Sequence, residues 1–331
     1  MNLFRFSLFF VIILSGCEKV VDLDINSGAK KIVVEGYIQQ GYPAYVFLTK
    51  SEGYFDLINE DSFENLAIDD ALVFIEREDG VIHKLTYIDQ DLIDSLNLPD
   101  SLSLPFNALY LDLSYKNNEF SQIGYNYKLI VEWNGDTILA NTSIPPEYPI
   151  DSIWVQKKDS LESDYKHYIW ARVNDPDTLG NSVLVHFKRD VGWRPMSPFF
   201  IPCAIPVRSD NLVNGESFDA FFARSGRFNE EDGALLPFYS DRVIDGELVR
   251  KDIVLLRISH INYTTYQFWR SATRMEDAGN NPFAEPMNLS SNIEGGLGIF
   301  GGYGVSYYYI PIVSDTVIYD TYNDVDVFEI F

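Results

Sequence analysis

Residues 125–144 read YNYKLIVEWNGDTILANTSI. Two runs rich in aromatic and β-branched residues, Tyr125–Trp133 and Asp136–Ile144, are separated by Asn134-Gly135. Both turn residues tolerate positive φ, so the pair fits a tight hairpin turn and the flanking runs read as strands. The same composition marks Lys31–Gln39, Ala44–Thr49, Ala71–Glu78, Val81–Tyr87 and Leu109–Tyr115 as strands, and Asp79-Gly80 as a second hairpin turn. In Ala71–Glu78, Leu72, Phe74 and Glu76 face one way while Val73 and Ile75 face the other. Seven strands at this spacing predict an immunoglobulin-like or transthyretin-like β-sandwich over residues 31–145. Asp89–Pro105 is acidic and polar and reads as a loop inserted in it.

Pro145, Pro146 and Pro149 mark an expected boundary, because proline removes backbone donors and stiffens the chain. Residues 146–331 read as a second, less regular β-rich domain. Its strands are Ile150–Gln156, Tyr165–Asn174, Val183–Lys188 and Lys251–Ser259. Val191–Pro206, with four prolines, reads as an ordered loop. One helix is predicted at Tyr263–Ala278, with Asn262 as its N-cap and Gly279 and Pro282 ending it. The expected fold class is therefore mainly β, with one prominent helix.

The first sixteen residues, MNLFRFSLFFVIILSG, carry one charge and an apolar run, Phe6–Leu14, too short to span a bilayer. Leu14-Ser15-Gly16-Cys17 has the form of a bacterial lipobox. Residues 1–16 are thus expected to be a lipoprotein signal peptide. Cys17 is expected to carry the lipid, because its thiol is the group alkylated, and residues 17–30 to be a tether. Several acyl chains on one residue give stable anchoring without a transmembrane helix. Glu18, rather than an aspartate that would retain the protein in the inner membrane, favours the outer membrane, with its face undecided. The 331 residues contain 25 Lys and Arg against 49 Asp and Glu, a formal net charge of −24. That balance argues against nucleic-acid partners and against charge-driven docking on anionic lipid. Two cysteines exclude a disulfide framework and a multi-cysteine zinc site.

The lipobox, followed by Glu18–Ile25 and by Lys31-Ile32-Val33-Val34-Glu35-Gly36, resembles the start of the domain of unknown function 4249 lipoproteins of Bacteroidetes. The helix, Gly279–Pro286 and Ser291–Tyr303 carry the most specific part of that resemblance, which covers nearly the whole mature chain. It implies a partner, a TonB-dependent outer-membrane receptor, and a role in uptake or surface binding of a nutrient. It supplies no catalytic residue.

Other motifs weigh less. Gly296-Leu297-Gly298-Ile299-Phe300-Gly301 matches a dinucleotide fingerprint, but strand-like sequence follows it where a helix is required. His83, His167, His186 and His260 lack helix-spaced partners, and Cys203 reads as a small apolar filler. The acidic clusters Asp89/Asp91/Asp94, Glu230/Glu231/Asp232 and Asp315/Asp320/Asp324/Asp326 read as solvated faces rather than calcium loops. No metal, cofactor or catalytic residue is therefore expected. Tyr303, Tyr307, Tyr308, Tyr309, Tyr319 and Tyr322 are candidate ligand-binding residues, since tyrosine buries much area with few rotors. In Tyr307–Tyr309 strand alternation sends at least one ring outward. Asp-Ser/Thr-aliphatic triplets make Ser95, Ser101 and Ser160 candidate O-glycosylation sites. The expected function is a non-enzymatic, lipid-anchored accessory of TonB-dependent uptake. A surface glycan or peptide hydrolase and an adhesion module are the alternatives.

Overall fold

The computed structural model describes residues 30–52, 66–89, 91–92, 108–114, 119–157, 165–191, 196, 199–226, 235–240, 242–244, 246–250, 252–278, 288–313 and 318–323. Cys17, Ser95, Ser101 and Ser160 lie outside these residues. The chain divides into two compact units. In the unit of residues 1–30 and 52–57, Lys30 Nζ lies 2.7 Å from Glu52 Oε1. The other unit, residues 31–51 and 58–331, contains all that follows.

This unit is mainly β with one long helix. Its strands are β1 (Ile32–Gln39), β2 (Tyr45–Lys50), β3 (Leu72–Arg77), β4 (Ile82–Tyr87), β5 (Leu109–Leu111), β6 (Asn126–Trp133), β7 (Asp136–Ser143), β8 (Ile150–Lys157), β9 (Lys166–Asn174), β10 (Ser182–Asp190), β11 (Ile201–Ser209), β12 (Ser217–Phe222), β13 (Arg224–Ser225), β14 (Leu235–Leu236), β15 (Phe238–Tyr239), β16 (Arg242–Ile244), β17 (Glu247–Arg250), β18 (Ile253–Ile261), β19 (Ile293–Glu294), β20 (Leu297–Pro311) and β21 (Ile318–Tyr319). Helix α1 (Tyr263–Ala278) follows β18. Asn262 Oδ1 accepts from Thr265 N at 2.9 Å, the expected N-cap bond.

The β6–β7 hairpin closes through Asn134 (φ 51°) and Gly135 (φ 86°), with Trp133 opposite Asp136. Strict alternation in β6 buries Tyr127, Leu129 and Val131 and leaves Glu132 exposed. Fourteen strands form one sheet in the order β14-β13-β11-β10-β18-β20-β1-β2-β5-β4-β3-β6-β7-β19. A second sheet runs β12-β9-β8-β21, with β15 also on β9.

The fifteen-residue β20 is the shared element. It pairs in parallel with β1, Gly36 opposite Phe300, and antiparallel with β18, Arg257 opposite Tyr307. Its early residues join a first core with Val34, Val46, Leu48, Val73, Ile75, Leu129, Val131 and Ala140, to which Ile293 and Phe300 contribute. Its later residues, Tyr308 and Ile310, join a second core between the two sheets with Ile153, Ile169, Val185, Phe187, Leu256 and Phe238. The change of core thus falls near Pro145–Pro149, while the large sheet continues through both. Fully burying each such aliphatic or aromatic side chain contributes roughly 1.5–3 kcal/mol.

Two glycines permit this sharing. A Cβ on Gly302 would lie 2.1 Å from Ser143 O, and one on Gly298, at φ 105°, would lie 1.9 Å from Val34 O. Backbone here passes against backbone, which is the requirement behind Gly298, Gly302 and Gly304. Asn292 ties the entry to this strand. Its Oδ1 accepts from Phe300 N (2.9 Å), and its Nδ2 donates to Phe300 O (2.8 Å) and Asn141 O (3.1 Å).

One expectation changes. The proline-rich segment read as loop over Val191–Pro206 contains the start of strand β11. Pro202 lies opposite His186, then pairing with β10 lapses until Val207 meets Leu184. The irregularity accommodates prolines that have no N–H to donate.

Candidate functional site

The six tyrosines singled out from the sequence lie on two sides of the large sheet, Tyr319 within the second sheet. Tyr303 and Tyr307 are buried on the face that carries α1, where Tyr266 and half-buried Trp269 pack. Trp269 Nε1 donates to Tyr303 Oη at 3.1 Å. Gln39 Nε2 donates to Tyr307 Oη (3.0 Å), and Arg257 Nη2 donates to Gln39 Oε1 (2.9 Å). Tyr37 stacks between Tyr45 and Tyr303, with ring centroids 4.8 and 5.3 Å away. Burial pushes the phenols of Tyr37, Tyr45 and Tyr303 well above their ordinary range. His186, opposite Arg257, is held down to about 3 by burial first and by the Arg257 charge second. Tyr309 is 41% exposed and lies against Tyr322, with centroids 5.5 Å apart. Tyr308 points the other way, into the second core, and Tyr319 packs at its margin. The structure therefore brings Tyr303, Tyr307, Tyr309 and Tyr322 to one side of the large sheet, with Tyr308 on the other and Tyr319 facing it from the second sheet. Most of this tyrosine surface is spent on packing.

Open space lies elsewhere. A cavity of about 230 Å³ sits between the sheets at one end of the second core. Its walls are Val183 and Val185 from β10, Ile258 from β18, Val173 from β9, and Phe218, Ala220 and Phe222 from β12, with Tyr148 and Ile150 at one side. Arg208 and Ser209 of β11, Asn181, and Leu212 and Val213 of the following turn complete it.

Local structure fixes this end firmly. Asp210 is buried and its carboxylate accepts from Gly180 N (2.9 Å) and Asn181 N (2.9 Å). Asp175 is buried beneath, accepting from Tyr148 Oη at 2.6 Å and from Gly215 N at 3.1 Å. Burial, and then the bond to Asp175, raise the Tyr148 phenol strongly. Two carboxylates thus staple the loops on either side of the mouth. Between them Leu212 is 96% exposed, and Leu179 in the neighbouring loop is 78% exposed.

Among the described residues Arg208 is the one cation on the cavity wall. Its Nη2 donates to Phe221 O at 2.7 Å, its Nε reaches Ile205 O at 3.4 Å, and its guanidinium lies 5.1 Å from the Phe222 ring centroid. Among the described residues no carboxylate pairs with it, in a chain with a net charge of −24. Burial pulls its pKa down from the ordinary arginine value. Cys203 is buried in the second core, and burial pushes its thiol up to about 12, which suits an apolar filler rather than a nucleophile.

One cluster has the residue types of a hydrolytic triad. His83 Nδ1 lies 2.6 Å from Asp112 Oδ2 and 3.1 Å from Ser114 Oγ, while Ser114 Oγ donates to Asp112 Oδ1 at 2.6 Å. A working triad places carboxylate and hydroxyl on opposite ring nitrogens. Here both crowd Nδ1, and the imidazole is stacked on Phe120 with centroids 3.8 Å apart. The serine is bonded to the acid, so the base does not activate it.

The sequence reading missed the cavity. Its only trace there is a charged residue, Arg208, in the otherwise neutral run Ile201–Ser209. Among the described residues no helix is long and apolar enough to cross a membrane.

The family model "Domain of unknown function (DUF4249)" matches residues 18–308. No curated protein matches the chain. A solved crystal structure, of a DUF4785 family protein from Legionella pneumophila, is similar at 13% identity with a TM-score of 0.20. The match covers 70% of this chain and 52% of that one, so the chain spans about half the length of that protein.

Proposed function

The chain belongs to the DUF4249 family, and from that premise we propose that it is a lipid-anchored, non-enzymatic binding component of the cell envelope. In this reading Cys17 carries the acyl chains in the outer membrane. The β-rich body holds a small nutrient ligand on behalf of a TonB-dependent receptor. The observation that carries the binding role is the walled apolar cavity in the second core, lined by a cation without an acidic partner. Ligand pockets are mostly apolar, with a few placed polar groups that fix orientation, and this one has that composition. The lipobox supports the anchor, and the partner follows from the family resemblance. The His83–Asp112–Ser114 geometry gives no support to the hydrolase alternative.

Mild extraction of the protein from its native membrane, followed by identification of what accompanies it, tests the proposal. The expected result is a receptor barrel in stoichiometric amount, with Cys17→Ala protein released from the membrane. A protein that emerges alone, or a Cys17→Ala variant that stays as firmly bound, contradicts it.

A further inference from the structure

The cavity wall carries more information than its size. Arg208 has five N–H hydrogens. One Nη2–H is committed to Phe221 O, and the Nε contact with Ile205 O is long, at 3.4 Å. Nη1 donates to no described residue. Arg208 is half-buried, and a partly desolvated cation gains from an anionic partner. The two buried carboxylates nearby, Asp175 and Asp210, are occupied by Tyr148, Gly215, Gly180 and Asn181 and leave Arg208 unpaired. Besides Arg208, the polar groups on the wall are those of Tyr148, Asn181 and Ser209, and Val173, Val183, Val185, Ala220, Phe222 and Ile258 make the rest of it mostly apolar.

We propose that the cavity binds a small apolar monocarboxylate, with its carboxylate on the Arg208 guanidinium and its hydrocarbon body between the two sheets. This rests on the reading of the cavity as a binding chamber and names the class of ligand. One cation compensates one negative charge, which favours a carboxylate over a doubly charged phosphate monoester. The planar guanidinium fork matches a carboxylate's two oxygens. Size sets the body. A dry cavity of about 150 Å³ accepts benzene, with six non-hydrogen atoms. Scaling to about 230 Å³ gives a body of ~9 such atoms. A straight-chain acid near eight carbons and a short arylalkanoic acid both satisfy this. The exposed Leu212 on the cavity wall gives an amphiphile an apolar approach.

The test uses titration calorimetry on the mature chain carrying Cys17→Ser, so that neither acyl groups nor detergent compete. The probes are octanoate, 3-phenylpropionate and 1-octanol. Octanoate or 3-phenylpropionate is expected to bind saturably, and whichever binds tighter identifies the alkyl or aryl source. 1-Octanol is expected to bind about 10–100-fold more weakly, the loss of a charge-assisted hydrogen bond. Arg208→Gln should weaken the acids by that factor while leaving 1-octanol unchanged, and the retained octanol binding certifies the fold. Arg208→Lys should keep part of the acid preference. Acids and alcohol binding equally well to both proteins would overturn the carboxylate assignment and leave the chamber standing. Should none of the three probes bind, the chamber and the assignment fall together.

Discussion

In the first core Val34, Val46, Leu48, Val73, Ile75, Leu129, Val131 and Ala140 are completely buried, and β20 is pressed against the end of β7 closely enough that Gly302 has no room for a methyl group. In the second core the same strand contributes Tyr308 and Ile310, but the two sheets diverge at one end over a cavity of about 230 Å³ beside Arg208. The first arrangement is what protein interiors generally reach, since a void forfeits dispersion contacts. The cavity is partly open to solvent, so it does not carry the full cost of a sealed void. The second core is also closely packed around Ile153, Ile169, Val185, Leu256 and Ile310, and the space opens only at one end, where Asp175 and Asp210 staple the loops.

The contrast can be broken most severely at its hinge. Gly302→Val would drive a Cβ into Ser143 O and should cost more than about 4 kcal/mol, preventing folding or lowering the urea midpoint drastically. A near-native midpoint would show that β20 does not tie the halves together. A matched pair of substitutions then compares the cores directly. Ala140→Leu overfills the first and should cost about 1–3 kcal/mol. Ala220→Leu projects into the cavity and should be neutral or stabilise by up to ~1 kcal/mol, while abolishing ligand uptake. Equal penalties in chemical denaturation would mean that the second core is as full as the first.

Acid should separate the halves next. His186 is held neutral down to about 3, whereas an unfolded histidine takes up a proton near 6.5. Its folded pKa is depressed, so the unfolded state binds the extra proton in that window. Stability is complete above about pH 6.5 and falls as the pH drops toward about 3. Protection factors against hydrogen exchange in β10 and β18, corrected for the intrinsic rate at each pH, should therefore fall in mild acid before those in β6 and β7. His186→Gln should flatten the difference, and an unchanged slope in the variant would remove His186 as its cause. The smallest effect belongs to Leu212→Ser. This side chain is almost fully exposed, so stability should change by less than about 0.5 kcal/mol, with only a modest loss of affinity at the mouth.

Local chemistry made much of the fold readable. Asn134-Gly135 dictates a hairpin by its backbone conformation, and Asn262 starts a helix through one side-chain bond. Alternation within Tyr307–Tyr309 sends Tyr309 outward, although Tyr307 on the same face is covered by its neighbours. The rest depends on distant partners. Nothing near Lys31–Gln39 announces that β1 pairs in parallel with a strand more than 250 residues away. The prolines of β11 concealed a strand because β11 itself leaves its register with β10 between Pro202 and Val207. The cavity had no local signal, since an unfilled volume arises from how two sheets meet and not from any one stretch of residues. Arg208 was visible as a charge, but its lack of an acidic partner appears only in three dimensions.

The most direct measurement is a methyl NMR titration of the mature Cys17→Ser chain with octanoate. Saturable shifts are expected at Val173, Val183, Val185, Ala220 and Ile258, with Val34, Val46 and Val73 of the first core unmoved. Shifts spread evenly over both cores, or none at any concentration, would contradict a binding chamber in the second core.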